Sequence, residues 1–199
     1  MPYNSERHHR RSIRLKGYDY SAEGSYFVTI CVKDRECVLG EIVEADMHLS
    51  AIGEIIRQCW AALADDLPNV MLDGYQVMPN HFHGIVVLFE HRRDLIGRDL
   101  INQIPTGNIP TGVDDSRFGP TLAWRQMENP KQTLGKVIRH FKAKATKRIH
   151  DAGFGSFQWQ SRFYDRIIRN EEELDRIRDY IQENPRNWRD DDENSNRVG

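Results

Sequence analysis

Apolar positions along the chain change period several times, and each change marks an element. Ser25–Val32 (SYFVTICV) is β-branched and aromatic and predicts a first strand, with a polar turn at Lys33–Glu36 and a returning strand at Cys37–Val43. Met47–Leu49 predicts a short further strand. Ser50 offers an N-cap, with Glu54 near the third helical position, for a helix over Ala51–Asp66; its buried stripe is Ile52, Ile55, Ile56, Cys59 and Leu63. Pro68-Asn69 ends that helix. Val70–Met78 and His81–Phe89 predict two strands parted by the tight Pro79-Asn80 step. Asn129 and Pro130 suit the N-cap and first position of a helix whose apolar residues are Leu134, Val137, Ile138, Phe141, Ala145 and Ile149. A Gly-rich turn at Asp151–Phe157 leads to an extended stretch, Gln158–Ile168. Asn170 then caps a last helix, from Glu171 to about Glu183, ended by Pro185.

A β–β–α–β–β order with later helices predicts an α+β fold, an antiparallel β-sheet covered by helices on one face. The 199 residues suit one domain, placed at 21–188 after a basic N-terminal arm at 1–20 and before an acidic tail at 189–199. The segment 90–129 lacks periodicity, is rich in Gly, Pro, Asn and Asp, and duplicates Ile-Pro-Thr-Gly at 104–107 and 109–112. It reads as a mobile insertion.

Composition narrows the class. Hydrophobic residues at 39% and charged residues at 29% are ordinary for a soluble globular protein. No apolar run approaches the roughly 20 residues of a membrane span, and no apolar segment follows the basic start as a secretory signal requires. Cys31, Cys37 and Cys59 are odd in number and lack a CxxC pair, so neither a disulfide framework nor a zinc ribbon is expected, and a reducing cytoplasm fits. The net charge of −2 hides an asymmetry: Lys131 to His150 carries seven Lys or Arg and no acid. Lys136, Arg139, Lys142, Lys144, Lys147 and Arg148 are therefore candidates for phosphate contacts, and Arg10, Arg11, Arg14 and Lys16 for a groove-binding arm. Trp159, Phe163 and Tyr164 suit either base stacking or core packing.

The sharpest chemical motif is Pro79-Asn80-His81-Phe82-His83-Gly84. Alternate strand residues share a face, so His81 and His83 point the same way, about 7 Å apart along the backbone, and two imidazoles can converge on one divalent ion. An isolated HxH is more often a chance pair at a strand end. Tyr180 and Asn184, four apart, share one helical face beside the stripe of Leu174, Ile177 and Ile181, which places a phenol and an amide between core and cleft. Alone, such a tyrosine is more often a shield for the core.

The segments RRSIRLKGYDYS, GSYFVTICVKDRE, GYQVMPNHFHGIVVL, TLGKVIRHFKAKATKRI and WQSRFYDRIIRNEEELDRIRDYIQENP together resemble the REP-associated tyrosine transposases, a group of single-tyrosine HUH transposases. The likeness covers most of Arg10–Trp188 apart from the 90–129 segment. It implies a ferredoxin-like or RRM-like HUH endonuclease fold, and a DNA transposase that cleaves and rejoins single-stranded DNA at hairpin elements through a 5′-phosphotyrosine. Carried over by motif, it implies His81, His83 and Asn184 as ligands of Mg2+ or Mn2+ and Tyr180 as nucleophile. Tyr164, on a predicted strand, does not match the family's helical tyrosine. The likeness further implies single-stranded or hairpin DNA as partner, a monomer or homodimer, and a place on the bacterial nucleoid. Two alternatives remain at this stage: a domesticated hairpin-binding protein that does not cut, and a metal-dependent hydrolase that uses water.

Overall fold

The computed structural model describes residues 17–89 and 132–194. The arm residues Arg10, Arg11, Arg14 and Lys16, the 90–129 segment and the Asn129-Pro130 helix opening lie outside the described residues. The strands are β1 (Gly24–Cys31), β2 (Gly40–Val43), β3 (Asp46–Leu49), β4 (Val70–Val77), β5 (His81–Leu88) and β6 (Tyr164–Ile168). The helices are α1 (Ala51–Ala61), the short α2 (Leu63–Asp66), α3 (Leu134–Asp151) and α4 (Glu171–Glu183), with a 3-10 turn at Trp188–Asp190. Four strands form one sheet in the order β4-β5-β1-β6, every neighbour antiparallel, and β2 and β3 make a separate hairpin. The fold is thus α+β, with helices packed on an antiparallel sheet.

Register assigns the faces. Ile30 lies opposite Phe82 and Val28 opposite Gly84, while Thr29 lies opposite His83 and Cys31 opposite His81. Since side chains alternate along a strand, Tyr26, Val28, Ile30, Phe82 and Val86 share one face. The apolar stripes of α1 and α3 cover it, with Ile56, Cys59, Trp60, Leu134, Val137, Ile138, Phe141 and Ala145 all buried. Each fully buried aliphatic or aromatic side chain contributes roughly 1.5–3 kcal/mol. At its centre the Trp60 ring lies 4.6 Å from Phe82 and 5.1 Å from Phe141. Gly84 makes this possible: a Cβ there would meet the Trp60 indole at 2.5 and 2.8 Å.

The opposite face, which carries the histidines, is covered as well. Leu174, Ile177 and Ile181 of α4 pack with Ile85 and Ile168 against Phe27. The one-sided cover expected from the sequence is therefore corrected to helices on both faces. The reason is visible in β5: His81–Val86 is buried throughout, so neither face of that central strand can be left to water.

Local differences are small. The helix expected to run to Asp66 breaks at Ala62 (φ −81°, ψ −2°). Within the described residues α3 is capped by Thr133, whose side chain accepts from the Lys136 N–H, and only Tyr164–Ile168 of the long extended stretch joins the sheet. Ser50 and Asn170 cap α1 and α4 as expected, accepting from Gly53 N and Glu173 N.

Candidate active site

The turn before β5 is held by its backbone: Met78 N donates to His81 O at 2.8 Å and Val32 N to Asn80 O at 2.8 Å. Asn80 is fully buried, and its Nδ2 donates to Glu193 O (2.7 Å) and Arg35 O (3.2 Å). Those two carbonyls can only accept, so the Oδ1 of Asn80 is the atom that faces His81 Nδ1 at 2.9 Å. His81 therefore carries its proton on Nδ1 and presents a lone pair on Nε2. His83 Nδ1 lies 2.9 Å from Thr29 Oγ1, a hydroxyl able to donate or accept, so His83 can present either form of Nε2. The two Nε2 atoms face each other at 2.9 Å. Burial depresses the basicity of both rings: it is the main cause for His81, reinforced by Arg35, and for His83, reinforced by His81 and opposed by Asp191. Both are neutral near pH 7, the form that binds metals.

A carboxylate completes the cluster. His81, His83 and Asp191 offer ligand atoms that lie within 4.8 Å of one another, all on buried residues. Asp191 comes from the stretch expected as an acidic tail. Its Oδ1 accepts from Glu193 N at 2.7 Å and its Oδ2 from Asn184 Nδ2 at 2.8 Å. An ionised carboxylate only accepts, so Asn184 must turn its NH2 toward Asp191. That leaves the buried Asn184 Oδ1 with no hydrogen-bond partner among the described residues. The segment after α4 is tied down further by Arg35, which pairs with Glu193 at 2.8 Å and donates to Asp192 O at 2.9 Å.

Tyr180 stands at the mouth of the cluster. Its hydroxyl is 3.4 Å from His83 Nε2 and its ring meets Phe27 edge-on, with centroids 6.0 Å apart. The residue is 47% exposed, yet its partial burial, with Asp191 and Glu193 adding to the effect, pushes the phenol up to about 12. A cavity of about 310 Å³ opens here, bounded by Thr29, His83, Tyr164, Tyr180, Asn184 and the acidic stretch Asp190–Glu193.

A wider depression, about 1370 Å³, lies elsewhere, between α3 and residues 157–163. Lys136, Arg139, Lys142, Lys147 and Arg162 line it together with Trp159 and Phe163. Lys142 donates to Gln160 O, and its ammonium is less basic than usual because it is partly buried. The other two basic residues of α3 turn toward α1 and α2: Lys144 pairs with Asp66 at 2.5 Å, and Arg148 donates to Gln58 Oε1 at 2.8 Å.

Of the residues singled out from the sequence, His83, Tyr180 and Asn184 thus border one cavity, with His81 against His83, while the six basic residues of α3 divide between a groove and a helix–helix contact. Sequence reasoning missed Asp191, Asn80 and Thr29. Asp191 was hidden in a run of acids that reads as solvated charge, and Thr29 becomes visible only once β1 is paired with β5.

No family model matches the chain. Among solved structures it is similar to a REP-associated tyrosine transposase bound to a REP hairpin, with 20% identity, a TM-score of 0.46, and 88% of this chain and 74% of that one covered. It is also similar to a Deinococcus radiodurans protein assigned as a transposase, with 14% identity, a TM-score of 0.40, and coverage of 85% and 95%. No helix among the described residues is long and apolar enough to cross a membrane. An uncharacterized protein of Haemophilus influenzae (strain Rd) is 36% identical over 189 residues, covering 95% of each chain. At that identity and coverage, the chain belongs to the same protein family as the Haemophilus influenzae protein.

Proposed function

We propose that this chain is a metal-dependent, single-tyrosine DNA strand transferase. The observation that carries the reading is the convergence of His81 Nε2, His83 Nε2 and an Asp191 oxygen beside the Tyr180 hydroxyl. The donor set fits a divalent ion of the Mn2+ or Mg2+ kind: two neutral imidazoles and a carboxylate, with the unpartnered Asn184 Oδ1 as a further oxygen. His81, His83 and Asp191 would hold the ion, with Asn184 as the alternative oxygen donor that the sequence motifs favour. When bound, it supplies polarisation of the phosphoryl group and offsets the carboxylates that otherwise repel a phosphodiester.

The chain's own residues do the rest. Tyr180 Oη attacks phosphorus as the bond to the 3′-oxygen breaks, giving a 5′-phosphotyrosine and a free 3′-OH; the phenol loses one proton and the leaving oxygen gains one. Reversal by a new 3′-OH rejoins DNA without ATP. Phe27 and His83 hold the Tyr180 ring, and the α3 groove supplies cations for the phosphates leading to the site. The sequence motifs extend the reading to hairpin-bearing single-stranded DNA in a bacterial cytoplasm.

A denaturing gel tests this directly. Hairpin DNA with a single-stranded flank is incubated with protein and Mn2+. The expected product is a covalent protein–DNA adduct absent in Tyr180→Phe. Cleavage that persists in Tyr180→Phe points to a water-using hydrolase, and binding without cleavage to a hairpin-binding module; either result overturns the proposal.

A further inference from the structure

The cavity at His83 adjoins a second depression, and that depression adjoins the α3 groove. The α3 groove shares residues 158–162 with a second depression of about 650 Å³, lined also by Lys33, Asp34 and Tyr164. Tyr164 in turn lines the His83 cavity. Shared lining residues thus connect the basic groove, through residues 158–162 and then Tyr164, to the cavity that holds Tyr180.

Resting on the strand-transfer reading, we propose that Tyr164 is a positioning residue. It stacks on the base of the nucleotide next to the scissile phosphate and so sets which phosphate meets Tyr180. Four large apolar side chains are conspicuously exposed among the described residues, and two of them, Tyr164 (46%) and Tyr180 (47%), border this one cavity. Tyr180 has a hydroxyl contact and two ring neighbours. The Tyr164 side chain has neither a hydrogen bond nor an aromatic neighbour among the described residues, and it is 46% exposed. Its backbone is nevertheless fixed, since it is paired with Thr29 in edge strand β6.

Register supplies the spacing. Tyr164 lies opposite Thr29 on one side of β1, and Thr29 lies opposite His83 on the other. Tyr164 and His83 therefore stand on the same sheet face two strand spacings apart, about 10 Å. One nucleotide can bridge that gap with its base at Tyr164 and its phosphate at the histidines. Charge agrees. Asp190–Glu193 at the His83 cavity are acidic and repel phosphate, while the adjoining depression that Tyr164 also lines carries two cations, Arg162 and Lys33, and one acid, Asp34. An aromatic face between a cationic approach and the reacting group is what a single strand needs, because bases stack and phosphates pair.

The test uses full-length protein carrying Tyr180→Phe, which blocks covalent chemistry, with Mn2+ and hairpin DNA whose single-stranded flank contains 2-aminopurine at one position at a time. Quenching is expected at one flank position. Tyr164→Phe keeps it, while Tyr164→Ala abolishes it and weakens binding by about 5–150-fold. In the Tyr180-intact protein, Tyr164→Ala is expected to scatter cleavage over neighbouring phosphates. Equal quenching in Tyr164→Ala, loss in Tyr164→Phe, or no quenched position at all overturns the proposal. The two readings fail separately: quenching that follows Tyr164 without any Tyr180 adduct sinks strand transfer alone, and an adduct indifferent to Tyr164 sinks the stacking role alone. Circular dichroism verifies that the edge-strand variants fold.

Discussion

The chemistry of the site depends on hydrogen bonds one step removed from it. Asn80 fixes the tautomer of His81, and Thr29 leaves that of His83 adjustable. Both imidazoles can offer Nε2 lone pairs at once only if His83 donates its Nδ1 proton to Thr29. Thr29→Val keeps the shape, removes the acceptor and leaves a buried Nδ1 unpaired. Mn2+ affinity is expected to fall about 10–100-fold, and Thr29→Ser to restore most of it, read by titration calorimetry or by the paramagnetic signal of free Mn2+. Unchanged affinity in Thr29→Val would mean that His83 is no ligand. At this scale the sequence was half legible. His81 and His83 announce themselves because strand alternation is local. Asp191, Asn80 and Thr29 do not, since their roles arise from chain segments that meet only in the fold.

Among the elements, α4 was the easiest to read and the hardest to place. The Asn170 cap, the Leu174–Ile177–Ile181 stripe and the Pro185 stop are all local signals, and the helix spans Glu171–Glu183 as they imply. Which side of the sheet it covers is not local, because β5 is buried on both faces. Two ion pairs tether the helix across the histidine face. Glu173 near its start meets Arg166 of β6 at 2.6 Å, and Arg178 meets Asp73 of β4 at 2.6 Å, where the strand's register shifts between Leu72 and Tyr75. Arg178 lies two residues before Tyr180, so this tether bears on where the phenol sits. Arg178→Gln and Asp73→Asn are each expected to lower the rate of adduct formation by about 10–100-fold, since a shift near 1 Å can have that effect, with hairpin affinity little changed. The double variant should be no slower than either single one. Additive losses would show that the two side chains act separately.

Over the whole molecule, net charge is a poor guide and its distribution a good one. The chain carries −2, with acids gathered at the start of α4 and around Asp190–Glu193 and bases on α3. Folding sharpens the asymmetry by sorting α3 into two faces, a distinction that the spacing of Lys and Arg did not reveal. Lys136, Arg139 and Arg162 line the groove together with Lys147, which also pairs with Asp151 at 2.5 Å, whereas Lys144 and Arg148 point to Asp66 and Gln58. Each phosphate neutralised on a single strand contributes about 0.7 to the slope of log affinity against log salt, so four groove contacts predict a slope near −3. Arg139→Gln or Arg162→Gln should therefore weaken binding to hairpin DNA with a single-stranded flank and flatten that slope by about 0.7 each. Lys144→Gln should leave the slope unaltered and lower only thermal stability, because its partner is Asp66 rather than phosphate. Fluorescence anisotropy across a salt series separates these outcomes. A slope that responds to Lys144 as strongly as to Arg139 would place the DNA on the other side of α3, away from the track that leads to Tyr180.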